Sequence, residues 1–176
     1  MKRVLSVFAT ICGVVTLGTL TMLAQGPVKV DLKDAKGASV GTATITAARS
    51  GGGVSIALDV KNLPAGEHGI HIHATPSCEG ANFAGAGGHF NPTNKKHGML
   101  NPAGIHAGDL PNLVVGANGE GRLEYTSPQF TLWPGGWSLM KPGGTAIVVH
   151  ADPDDETTDP SGGSGARIAC GVISPA

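Results

Sequence analysis

Aromatic residues are scarce in this 176-residue chain, at 4 %, and charged residues make up only 14 %. The few charges nearly cancel, to a formal net charge of −1. No basic stripe and no stacking platform can be built from them, which argues against a nucleic-acid partner. Runs of helix formers at 3.6-residue spacing are missing too, which argues against a helical bundle. Cysteine is limited to Cys12, Cys78 and Cys170. That is too few for a disulfide-framework miniprotein, and a domain of this length can bury a core without one. What is abundant is glycine, 28 residues, with 12 prolines. This turn-rich composition fits a single all-β domain with long ordered loops.

The N-terminus predicts the compartment. Lys2 and Arg3 are followed by an uncharged, apolar run from Val4 to Ala24. This reads as a secretory signal peptide over residues 1–24, with an uncleaved membrane anchor as its rival, and the working domain spans 27–176. Cys12 falls inside the run as a small hydrophobe. Export would place Cys78 and Cys170 in an oxidising compartment, where two cysteines pair; two buried free thiols are the alternative.

Alternation of apolar and polar residues marks strands at 27–33, 40–47 and 53–63, with turn material between them, and 68–74 is a fourth. Residues 113–115 and 122–126 flank Gly116-Ala117-Asn118-Gly119, a hairpin signal. Strands at 145–150 and 167–173 bring the count to eight, with no clear helix. The connection 128–144 holds Trp133 and Trp137, for which core packing is the first expectation and an interface the second. Residues 75–109 form a long segment with no period, rich in Gly, Asn and Pro. Loops of that length in compact domains serve a function or are disordered, and Phe83, Phe90 and Leu100 give this one a reason to pack.

The seven histidines gather around that segment. His71 and His73 stand two apart in a strand and project from one face, while Ile70 and Ile72 project from the other. His89, His97, His106 and Asp109 lie along the long loop, and three imidazoles with one carboxylate make a tetrahedral set suited to zinc. His150 ends the strand 145–150. With His71, His73 and one histidine shared from the loop it would complete four imidazoles, a set suited to copper. Singly, each has an ordinary reading: a surface His-x-His pair, solvated loop histidines, a turn aspartate before Leu110-Pro111. Jointly they point to metal. His68, at a strand start, is expected to bond to backbone and to ligate nothing.

Six segments in order, Gly69-Ile70-His71-Ile72-His73, Gly87-Gly88-His89-Phe90-Asn91-Pro92, Lys96-His97-Gly98, His106-Ala107-Gly108-Asp109-Leu110, Val148-Val149-His150 and Arg167-Ile168-Ala169-Cys170-Gly171-Val172-Ile173, resemble copper/zinc superoxide dismutase in its exported bacterial form. The resemblance covers nearly all of the chain after the leader. It implies an eight-stranded Greek-key β-barrel, an immunoglobulin-like sandwich with two long functional loops, and dismutation of superoxide to dioxygen and hydrogen peroxide by alternate reduction and oxidation of copper. It implies His71, His73 and His150 as copper ligands, His89 as the ligand bridging copper and zinc, and His97, His106 and Asp109 as the remaining zinc ligands. It further implies a Cys78–Cys170 disulfide and Arg167 as the guanidinium that attracts superoxide. Asp154, four residues past His150, is implied as the carboxylate tying His71 to His97, with Asp155 as the rival that the spacing disfavours.

One segment departs from the family pattern. The second long loop, 151–166, carries Asp152, Asp154, Asp155, Glu156 and Asp159 and no lysine. Steering of the anion then falls to Arg167 alone, or to Lys95 and Lys96 from the other loop, and a shallow dependence of rate on ionic strength follows. The second reading is a non-enzymatic copper- or zinc-binding module of the same fold. The location expected is periplasmic or extracellular, with membrane contact only if the N-terminal run is kept; a homodimer is a further expectation.

Overall fold

The computed structural model describes residues 26–48 and 52–175; the leader expected over 1–24 lies outside them. Eight strands run in order among the described residues: β1 Val28–Asp34, β2 Ser39–Ala47, β3 Val54–Val60, β4 Gly66–His73, β5 Asp109–Val115, β6 Gly121–Ser127, β7 Thr145–His150 and β8 Arg167–Ile173. They close into an antiparallel barrel in the order β1-β2-β3-β6-β5-β4-β7-β8. The Greek-key barrel implied by the resemblance is therefore the fold.

The barrel is flattened by two thin seams. β5 and β6 share only the pair Val115–Gly121, and β1 and β8 only Lys33–Cys170 and Asp34–Ala169. Between the seams lie two four-stranded sheets, β1-β2-β3-β6 and β5-β4-β7-β8, packed face to face as in a sandwich. The alternation in each strand sends Leu32, Ile45, Ile56, Leu58, Ile70, Ile72, Leu113 and Ile147 into the space between them, and all are buried. A smaller cluster of Phe83, Ala86, Ala146, Val148 and Cys170 sits on the other face of β7 and β8.

Three expectations need correction. β5 begins at Asp109 rather than 113, because the ladder to β4 continues through Leu110 and Asp109 despite Pro111. Pro111 is tolerated because β6 pairs with β5 only at its far end, so no partner is lost on that side. A 3-10 element, Ala81–Ala86, lies within the long loop, where no helix was expected; it is kinked at Asn82 and Phe83, both with positive φ. The tryptophans are not core residues: Trp133 and Trp137 are 41 % and 44 % exposed.

Candidate metal centre

The outer face of β4 presents His71 and His73. β7 ends on His150 beside them, since β4 and β7 pair from Ile70–Val149 to His73–Ala146. The long loop returns along β4: Ala74 N–H donates to Gly88 O at 2.8 Å, and Phe90 N–H to Ile72 O at 2.8 Å. This lays His89 against His73 and stacks its ring on His71, with centroids 3.9 Å apart. The loop is thus ordered by backbone bonds to the strand that carries two of the histidines.

Each strand histidine has one nitrogen anchored and one free. His71 Nε2 donates to Asp154 Oδ2 at 2.7 Å, His73 Nδ1 to Gly87 O at 2.9 Å and His150 Nδ1 to Gly165 O at 3.3 Å. The anchors fix the tautomers and leave lone pairs on His71 Nδ1, His73 Nε2 and His150 Nε2. All three atoms are buried with no hydrogen-bond partner. Nitrogen acceptors left orphaned in this way carry a desolvation cost unless something electrophilic sits among them. With His89 they form a set whose ligand atoms lie within 4.8 Å of one another.

The second set surrounds Asp109. Its Oδ1 lies 2.9, 3.1 and 3.3 Å from the Nδ1 atoms of His89, His97 and His106. Its Oδ2 accepts the backbone N–H groups of Gly98 and His106, at 2.9 and 3.0 Å. The Nδ1 atoms of His89 and His106 are 3.3 Å apart. Zinc bound at ~2.0 Å to four ligands would separate them by roughly 3.3 Å, so the spacing fits a tetrahedral ion. His71 also lies within 4.8 Å of this group, but its Nε2 is committed to Asp154 and its Nδ1 belongs to the first set. His89 belongs to both sets, and its Nδ1 is turned to Asp109 of the second.

Asp154 joins the two sets. Its Oδ2 holds His71 and its Oδ1 accepts from His97 Nε2 at 2.9 Å. Asp155, the rival for this position, is exposed and instead caps Thr157 and Thr158. Two residues that support Asp154 escaped sequence reasoning. Asn112 clasps its backbone, with bonds of 2.9 Å in both directions; it lies outside the strand expected from the sequence, and nothing there marked it. Gly162, at φ 62°, leaves room that a Cβ would fill, colliding with Asp154 Oδ1 and His97 Nε2.

Burial holds His71, His73 and His150 down to about 3, 2 and 4, so each ring is neutral at neutral pH. Burial also lowers His89, against the pull of Asp109. Burial would lower His97 as well, but Asp109 and Asp154 outweigh it and raise the ring to about 9. Burial pushes both carboxyls up, yet hydrogen bonds from His106, His89 and His97 to Asp109, and from His71 and His97 to Asp154, hold each well below the usual carboxylate range. Two ionised carboxylates therefore sit buried among mostly neutral imidazoles. Such an arrangement is costly without cations and favourable with them.

Arg167, at the start of β8, donates from Nη1 to Phe83 O at 2.8 Å and from Nη2 to Gly87 O at 2.6 Å. Gly87 O thus serves both Arg167 and His73. A surface depression here is lined by Ala81, Asn82, Ala84, Gly87, Gly88, Gly165, Ala166 and Arg167, so Arg167 is its one charged residue. The Cys78–Cys170 disulfide, with Cα atoms 5.7 Å apart, fastens the loop to β8 beside it. Lys95 and Lys96 line a separate cleft next to His106, and Lys96 is paired with Asp159 at 2.9 Å. His68 turns inward, its nitrogens 2.8 and 2.9 Å from His150 O and Pro64 O, with none left for a metal.

The model of the family described as copper/zinc superoxide dismutase matches residues 39–173. "Superoxide dismutase [Cu-Zn] 1" of Aquifex aeolicus is 46 % identical over 145 residues, 81 % of this chain and 85 % of that protein. Among solved structures, a double mutant of a SOD-like protein from Bacillus subtilis superposes with a TM-score of 0.80 at 42 % identity, covering 84 % of this chain and 97 % of that one. The Cu/Zn superoxide dismutase from Brucella abortus does so with 0.66 at 31 %, covering 84 % and 99 %. The family match takes in every strand but β1 and all the side chains gathered at the centre, and the chain belongs to the copper/zinc superoxide dismutase family.

Proposed function

We propose that the protein is an exported superoxide dismutase, taking two superoxide anions and two protons to dioxygen and hydrogen peroxide. The observation that carries this reading is the set of three orphaned imidazole nitrogens beside an arginine-lined depression. His71 Nδ1, His73 Nε2, His150 Nε2 and His89 would hold copper, and His89, His97, His106 and Asp109 would hold zinc. Copper supplies reversible one-electron chemistry, and zinc a redox-inert charge.

The chain's own groups do the rest. Asp154, Gly87 O and Gly165 O keep the free nitrogens aimed inward. His89 would hold copper and zinc together, and its imidazole is the group of this chain that could hold a proton for the reduced oxygen species. Arg167 stays protonated at any working pH even though burial lowers it. Pinned by two carbonyls, it offers its remaining N–H donors to a small anion at the depression. The disulfide suits an oxidising compartment and supports export to the periplasm or beyond, with 1–24 as the leader.

Loading with copper and zinc should give one of each per chain, with turnover of superoxide. His150→Ala should lose copper and turnover while keeping zinc and the barrel. Zinc binding alone after copper loading, with no turnover, would favour a non-enzymatic module. With one fixed cation at the depression, the rate should fall gently with added salt; a steep fall would mean that charges outside it steer the substrate.

A further inference from the structure

The segment between β6 and β7 has no part in the metal centre, yet it is well built. Thr131 N–H donates to Trp137 O at 2.8 Å, Leu139 N–H to Thr131 O at 2.9 Å and Ser138 N–H to Gly135 O at 3.1 Å. Phe130, Leu132 and Leu139 are buried in the main core and root the segment. Trp133 and Trp137 point the other way, flanking a tip at Gly135 and Gly136 around which a Cβ would meet nothing within 4 Å. Two large apolar side chains are thus held out into solvent by an ordered support. Exposed indoles on a rigid base are the signature of a contact surface, because their burial elsewhere would cost little ordering entropy.

Three observations say what that contact is. The segment opens from Ser127, which pairs with Val54 at the end of the barrel where β1 begins, since Val28 pairs with Ile45 near the end of β2. The described chain therefore enters the barrel, at Gly26 and Pro27, at the same end as the tryptophans. No acidic residue occurs from Ser127 to Thr145, and Lys141 is the one charge there, a segment free of repulsion from anionic headgroups. Arg167 stands at the opposite end of β8 from Ile173, which pairs with Thr145 at the tryptophan end. We propose that the barrel end bearing Trp133 and Trp137 docks on an anionic phospholipid surface, with the indoles at headgroup level. The proposal does not rest on the catalytic reading.

The two tryptophans are the only ones in the sequence, so indole fluorescence reads this segment alone. The barrel and its core lie wholly between Val28 and Ile173, so a chain beginning at Gly26 can be tested beside the full chain. Both are titrated with vesicles of phosphatidylglycerol and phosphatidylcholine, with and without brominated acyl chains. Both forms should show a blue shift and quenching by the brominated lipid, weaker on phosphatidylcholine alone. Trp133→Ser and Trp137→Ser should each weaken binding, read from the remaining indole, while metal content and turnover stay unchanged. Emission unaltered by lipid in both forms overturns the proposal. So does a shift seen only as protein concentration rises, which would assign the surface to a second copy, or a shift in the full chain alone, which would assign binding to the leader.

Discussion

Asp154 is a single carboxylate that two rings from different sets depend on. Each of its oxygens accepts from one imidazole, His71 Nε2 on one side and His97 Nε2 on the other. Asparagine at this position would keep the shape but offer one acceptor where two rings donate, turning an N–H toward one of them. Asp154→Asn should therefore loosen both metals, by about 10–100-fold in affinity, measured by competition with a chelator. Unchanged affinity for both would mean that the rings are oriented by their strand and loop alone. Asp154 was legible only through the family pattern, in which its spacing from His150 was all that favoured it over Asp155. Asn112 was not legible at all, because nothing in a sequence marks a side chain that grips another residue's backbone across 42 positions.

At the scale of elements, the two long loops hold each other. Asp159 Oδ1 accepts the backbone N–H of His97 at 2.8 Å, Leu100 N–H donates to Glu156 O at 2.9 Å and Asn101 Nδ2 to Thr157 O at 3.0 Å. Gly98, at φ 106°, permits the close approach, since a Cβ there would collide with the Glu156 carbonyl. The acidic loop that looked unsuited to attracting an anion is thus partly committed to bracing the segment around His97. Asp159→Ala removes a charge-assisted bond to that backbone, and zinc release should quicken. Lys96→Ala removes only an exposed ion pair and should change little; equal effects would show that the ion pair, not the backbone bond, does the bracing. β1, β2 and β3 were readable because one face of each is buried and period-2 alternation follows from that, whereas β7, buried on both faces, reads as an unbroken apolar run. The loops were readable only as loops: their order comes from backbone bonds to β4 and to each other, which leave no periodic trace, and the left-handed turn at Asn82 and Phe83 aims the Phe83 carbonyl at an arginine 84 residues away.

Over the whole molecule, the buried histidines set how the metal-free protein responds to acid. Unfolded, they protonate near 6.5; folded, burial holds His71, His73 and His150 at about 3, 2 and 4. As pH falls below about 6.5 the unfolded chain takes up protons that the folded chain refuses, and stability is lost until those lower values are reached. His97 has the opposite sign: raised to about 9, its contribution is complete below about 6.5 and fades as pH rises through 9. The depressed carboxyls of Asp109 and Asp154 add further loss below the ordinary carboxylate range. The thermal midpoint of metal-free protein should fall steeply between pH 6 and 4, and a flat profile there would sink this account.

The thin seams of the barrel have a consequence of another kind. Every strand that carries a histidine or aspartate of the metal centre, and β8 with its disulfide cysteine, belongs to the sheet β5-β4-β7-β8. The outer face of the other sheet, with Thr42, Thr44, Thr46, Ser55 and Thr126, touches none of them. One half of the molecule is chemically constrained and the other is free to be redecorated. Labels, recognition epitopes or fusion partners grafted onto β2, β3 and β6 would ride on a working enzyme, and a lineage could vary that face as its surroundings changed without retuning the metals.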